Sequence, residues 1–164
     1  MSASLVGSEM CIRDRIKTAL RMRPNRVIVG ECRGAEALDV LQAMNTGHDG
    51  SLSTGHANSC KDMLSRLETM VLMGMELPLP AIRSQIASGI DFLIHLGRMR
   101  DKSRKVLSIT EIAGYEENQI ILNDIYRFKE EKAEENTVHG AMEKVGELIH
   151  TEKMIRAGYC LDGL

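Results

Sequence analysis

Tryptophan is missing from this sequence, and the aromatic residues are few, two Phe and three Tyr. A chain so poor in rings offers no stacking platform for nucleic-acid bases. Its core must be built from aliphatic side chains and from eleven methionines, whose flexible thioethers fill irregular gaps. Cysteine is sparse as well: Cys11, Cys32, Cys60 and Cys160 show no C-x-x-C pairing and read as reduced thiols. No apolar run approaches the roughly 18–20 residues that a membrane-spanning helix needs, so any membrane contact is peripheral. Net charge is nearly absent too. The 21 Lys and Arg against 23 Asp and Glu leave −2, so no global field draws the chain to nucleic acid or an anionic surface. What remains, 43% hydrophobic and 27% charged over 164 residues, fits one soluble globular domain or a piece of a larger one.

The first dozen residues carry no periodicity and are expected to be a disordered or extraneous leader, here bounded at residues 1–14. Ile16, Ala19 and Leu20 then have helical spacing until Pro24 and Asn25 turn the chain. Between Arg13 and Arg33 stand seven basic residues against two acidic ones, which reads either as a solvated helix face or as a phosphate contact. A buried strand is expected at residues 27–29, ended by Gly30. Ala37, Val40, Leu41 and Met44 repeat at i, i+3, i+4 and i+7, predicting an amphipathic helix over 35–44. Ser59 with Asp62 three residues later resembles a capping box ahead of a second helix over 60–73. Pro80 opens a third, through Ile82, Ile86 and Ile90.

Beyond residue 91 the period changes. Residues 92–98, 105–113 and 119–128 are β-rich runs separated by the turn-forming triplets 101–103 and 116–118, which predicts an antiparallel meander. Residues 129–164 read as a charged linker followed by a helical tail, capped by Thr151 and ended by Gly158.

Chemistry concentrates where the first strand ends. Glu31 follows Gly30 at the carboxyl end of that strand, the edge at which open α/β sheets place ligands. Burial at such a rim would raise its basicity, so Glu31 could orient or deprotonate a water, or hold one bound to Mg²⁺. It could equally be a carboxylate facing the dipole of the helix that follows. His48 and His56 lie eight apart across a glycine-bearing loop, with no Cys or Asp placed to complete a tetrahedral metal set. Around His56 the run Ser53-Thr54-Gly55-His56-Ala57-Asn58 crowds donors that suit a phosphate.

These segments carry a resemblance. Residues 23–34 (RPNRVIVGECRG) with Glu36-Ala37, residues 42–50 (QAMNTGHDG) and residues 53–58 (STGHAN) are similar to the secretion and pilus-assembly ATPase superfamily, and most of all to its CpaF type, the motor of tight-adherence (Flp) pilus assembly. The similarity continues in order through 62–70, 85–88 and 109–112 to 124–128. It implies the C-terminal half of a RecA-like P-loop NTPase core, residues 15–128, an α/β fold with an antiparallel extension. It implies that strand 26–31 is a Walker B element, with Glu31 serving catalysis and Mg²⁺, and that His56 belongs to a His box sensing the γ-phosphate. Arg33, Thr54 and His48 fall in matching motifs as candidate ATP-binding residues. Hexameric rings on the cytoplasmic face of the inner membrane, platform-protein partners and no nucleic acid are likewise what the resemblance implies.

One departure outweighs the match. The superfamily holds ATP in a glycine-rich Walker A loop, and no G-x-x-x-x-G-K-[ST] occurs in this chain. The amides and lysine that grip the β- and γ-phosphates are therefore missing, and the chain alone is expected to be inactive. It also leaves strand 27–29 with an uncovered edge or face. The rival readings are a non-catalytic assembly module working through the helices over 60–90, and a nucleic-acid binder using the basic stretch.

Overall fold

The computed structural model describes residues 9–131 and 137–160, with side chains from residue 12 onward. Contacts divide the chain into two compact units, residues 1–90 and 91–164.

The first unit is α/β. Helix α1 (Glu9–Arg21) starts inside the segment expected as a leader, because it has a partner. Ile16 is buried, and Arg13 Nε stands 2.6 Å from the buried carboxylate of Asp39, with Lys17 Nζ at 3.8 Å from its other oxygen. Residues 1–8, the rest of that expected leader, lie outside the described residues. Asp39 belongs to α2 (Ala37–Asn45), which buries Leu38, Val40, Leu41 and Ala43 as well as Ala37 and so is covered on most sides. Helices α1, α3 (Cys60–Gly74) and α4 (Leu79–Gly89) all pack on α2. Ser59 caps α3 by accepting the Asp62 amide at 3.0 Å, the satisfied orphan donor that its sequence spacing predicts. Leu64, Leu67, Met70 and Val71 of α3 and Ile82 and Ile86 of α4 complete the core. At the end of α3 a Cβ on Gly74 would come 2.9 Å from the Ala35 carbonyl oxygen, so only glycine admits this approach.

Strands β1 (Ile28–Val29) and β2 (Leu52–Ser53) pair in parallel, Ile28 opposite Leu52 and Val29 opposite Ser53. The expectation of a buried strand at 27–29 is corrected here. Val27 is buried, but Ile28 is 73% and Leu52 61% exposed, so one face of this short ladder is open. An uncovered face was the other expectation for the same strand.

The second unit is the expected antiparallel meander with one strand more. Strands β3 (Phe92–Arg98), β4 (Arg104–Glu116), β5 (Gln119–Glu130) and β6 (Gly140–Lys144) pair in chain order. Glu117 and Asn118 both take positive φ in the β4–β5 turn, the geometry of a tight hairpin. Strand β6 corrects the reading of 129–164 as linker and helical tail: it pairs Met142 with Phe128 and Glu143 with Arg127. Residues 132–136, within the expected linker, lie outside the described residues. Helix α5 (Glu152–Arg156) follows, with no side-chain bond from Thr151 at its start.

Candidate functional site

Because β1 and β2 are parallel, the segments leaving them emerge at the same sheet edge. Gly30 and Glu31 follow β1; Thr54, Gly55 and His56 follow β2. Two hydrogen bonds tie these exits together. Cys32 N donates to the Thr54 carbonyl at 2.9 Å, and Thr54 Oγ1 donates to the Gly30 carbonyl at 2.5 Å. A third device acts from below: the buried Glu36 carboxylate accepts the amides of Arg33 at 2.7 Å and Gly34 at 3.1 Å through one oxygen, Oε1. The loop after Glu31 is thus fixed at both ends.

Glu31, Arg33 and His56 are brought together there. Glu31 Oε2 accepts a hydrogen bond from Arg33 Nη2, and Glu31 Oε1 lies 3.1 Å from His56 Nε2. The glutamate is 22% exposed, against 72% for Arg33 and 79% for His56, so the acid sits below two solvent-facing cationic or potentially cationic groups. Oε1 itself is screened from solvent, and among the described residues no donor is aligned on it. The His56 ring is close enough for an ion pair but is not aimed as a hydrogen bond.

The electrostatics overturn one expectation. The Arg33 guanidinium, hydrogen-bonded to Glu31, holds its carboxyl below the usual carboxylate range; partial burial opposes this, while the charges of Arg33, His56 and Arg66 reinforce it. The rim therefore does not raise the basicity of Glu31. A carboxylate so held stays ionised and is a weak proton acceptor, suited to orienting a water or a cation. Beside it, burial first and the Glu36 charge second push the Cys32 thiol up to about 12, which leaves it protonated and unreactive.

His48 is not brought into this cluster. It precedes β2, so it lies at the opposite end of the ladder, where its Nδ1 stands 3.2 Å from the Ala43 carbonyl at the end of α2. Its own carbonyl accepts from Ser51 Oγ at 2.7 Å, and Ser51 Oγ in turn accepts the Val27 amide at 2.9 Å. Thr54 is at the right edge, but its hydroxyl proton is committed to Gly30. Two residues escaped the sequence reading. Glu36 carried only a weak signal, an acid three residues after the amide it accepts, which resembles capping-box spacing although Glu36 stands before the helix and not inside it. Arg66, on α3, carried none: it lines a groove with Arg33, Ser65, Thr69, Met70 and Met73 that only the fold assembles.

The fit to Mg²⁺ and ATP divides in two. Magnesium commonly uses one or two carboxylates together with waters and substrate phosphates, and Glu31, with one screened and unclaimed oxygen, fits that demand. Among the described residues no three His, Cys, Asp or Glu side chains converge into a closed metal cage. The Walker A pattern, through which such a loop grips the inner phosphates, does not occur in this sequence.

Comparisons with known proteins place the chain among secretion-system and conjugal-transfer proteins. The family described as type II/IV secretion system protein matches residues 7–157. The conjugal transfer protein TrbB of Rhizobium radiobacter is 36% identical over 103 residues, covering 63% of this chain and 31% of that protein. The type IV secretion system protein VirB11 of Brucella suis is 37% identical over 84 residues, covering 49% of this chain and 23% of that one. A crystal structure of the Brucella suis VirB11 ATPase in complex with sulphate superposes with a TM-score of 0.57 at 32% identity, over 60% of this chain and 31% of that one. The chain thus spans less than a third of the length of these relatives.

Proposed function

Since this chain belongs to the type II/IV secretion system protein family, we propose that it is the C-terminal part of a motor ATPase of the CpaF type, which couples ATP hydrolysis to pilin extrusion or protein export. One observation carries the reading: the ionised Glu31 carboxylate lies 3.1 Å from His56 at the carboxyl edge of a parallel ladder and keeps one screened oxygen unclaimed. In the complete enzyme, bound ATP with Mg²⁺ supplies the reactive γ-phosphate and part of the charge neutralisation. Glu31 would orient the attacking water through Oε1 and, with waters and the phosphates, would help to hold Mg²⁺. Arg33 keeps that carboxylate ionised and presents a guanidinium toward anionic oxygens. His56, exposed beside Glu31, would read whether the γ-phosphate is there. Thr54, Glu36 and His48 hold the loops that present these groups. This is catalysis by positioning and charge, which needs no strong base.

The same reading assigns the complete protein to hexameric rings at the cytoplasmic face of the inner membrane, working on platform proteins of a pilus or secretion system and not on nucleic acid. Among the described residues no helix is long and apolar enough to cross a membrane. The proposal is tested by phosphate release from ATP by the purified chain. No turnover above buffer is expected, because the sequence carries no Walker A pattern to grip the inner phosphates; turnover that Glu31→Gln abolishes would show that the chain is a motor by itself.

A further inference from the structure

The second unit holds a buried carboxylate that the proposed ATP chemistry does not use. Glu111, on β4, is 1% exposed, and four nitrogens converge on it, three of them donors and the fourth the His150 ring Nδ1. Oε1 accepts the His150 amide at 2.7 Å and lies 3.1 Å from the His150 ring Nδ1. Oε2 accepts the Ile149 amide at 2.9 Å and Asn123 Nδ2 at 3.1 Å. Three of the four belong to residues 149 and 150, far along the chain. These bonds keep the Glu111 carboxyl below the usual range although burial alone would raise it.

What surrounds this contact decides its meaning. No residue of 145–156 is buried, and Ile149 and Ile155 are each 57% exposed. The neighbouring moorings are polar: the Val145 amide on the Ile125 carbonyl at 2.8 Å, Asn123 Nδ2 on the Glu147 carbonyl at 2.7 Å, and Lys153 Nζ 3.1 Å from Asp91. The sheet beneath has its own supports, Ile112 and Ile125 buried and Thr110 Oγ1 donating to Asp124 at 2.5 Å. A segment fastened mainly by polar contacts, with Leu148 and Met154 only partly covered and no side chain fully buried, opens at lower free energy than the core it lies on.

We propose that residues 147–156 are a releasable strap and that the Glu111 side chain is its clasp. Docked, the strap covers Glu111 and Asn123. Released, it uncovers this polar pair and carries Ile149 and Ile155 on a free segment, so a single side chain sets which of two surfaces the unit shows.

Amide hydrogen exchange followed by NMR on the full 164-residue chain tests it. In the wild type, the amides of Ile149 and His150 exchange through openings that leave Ile112 and Ile125 protected; exchange of all four only on global unfolding overturns the proposal without any variant. In Glu111→Gln, Ile149 and His150 exchange at least about tenfold faster while Ile112 and Ile125 stay within about threefold, since an amide cannot accept all these bonds. Unchanged protection at 149 and 150, or an equal loss throughout the sheet, overturns the clasp. Lys153→Ala serves as the discriminating control: it leaves 149 and 150 protected within about threefold, and a release equal to that of Glu111→Gln places the fastening elsewhere.

Discussion

Replacing Glu36 by alanine removes the acceptor that fixes the loop between Glu31 and α2, and its cost can be worked from two bonds. Both the Arg33 amide, at 2.7 Å, and the Gly34 amide, at 3.1 Å, donate to Oε1 of a residue that is 2% exposed. A hydrogen bond to a charged acceptor contributes about 1.5–3 kcal/mol, and two that share one oxygen are not fully additive. Glu36→Ala should therefore destabilise the first unit by about 2–4 kcal/mol. Glu36→Gln keeps an oxygen in the same place and loses only the charge, which makes up about half of such a bond, so about 1–2 kcal/mol is expected. Urea unfolding followed by circular dichroism reads both, with midpoint shifts of about 1–2 M for the alanine variant. A second readout is local: part of what holds the Cys32 thiol near 12 is the Glu36 charge, so both variants lower it, while burial keeps it above the ordinary value. Equal losses for Ala and Gln, or an alanine loss under about 0.5 kcal/mol, would refute the assignment of Glu36 as the anchor of this loop.

The remaining predictions concern three other side chains. Arg33→Ala raises the Glu31 titration seen by carboxyl carbon NMR, because the guanidinium hydrogen bond that favours the ionised form is lost; an unmoved titration would mean that Arg33 does not hold the acid. Gly74→Ala drives a methyl to 2.9 Å from the Ala35 carbonyl oxygen and should cost about 1–3 kcal/mol in urea unfolding; a neutral effect would show that α3 ends further from the loop. Glu111 has a folded pKa below its unfolded value of 4.5, so its stabilising effect is present above that pH and fades as pH falls through the lower folded value. Acid unfolding of Glu111→Gln should therefore show a shallower dependence over that window than the wild type, and superimposable profiles would exclude the effect.

Much of this molecule was legible in its residues. Ile82 and Ile86, Leu64 and Leu67, and Val40 and Leu41 are buried as their helical spacing requires, and the turn triplets at 101–103 and 116–118 lie where the meander folds back. Strand β6 was not legible. Its sequence, GAMEK, has little apolar alternation, and what defines it is the ladder that β5 offers, a partner no local pattern reveals. The exposure of Ile28 was half legible, since an aliphatic run reads as buried wherever no sheet neighbour is specified. Sequence put Glu31 and His56 in one candidate cluster, and they do lie 3.1 Å apart, but it mistook the sign of the acid's shift. Depth at a strand end suggested a raised pKa, whereas Arg33, two residues on, folds back as its partner. Glu111 escaped because two of its donors are backbone amides, which every residue carries and which only tertiary contact aims.

The role proposed for Glu31 is to position water for attack on a γ-phosphate held by the rest of the complete enzyme. The direct measurement is steady-state phosphate release by this chain joined to the Walker A half of a family member, with and without Glu31→Gln. The joined protein should hydrolyse ATP, and the substitution should lower turnover by about 10²–10⁴-fold while leaving nucleotide affinity within a few-fold. Wild-type turnover in the Glu31→Gln protein would contradict the account.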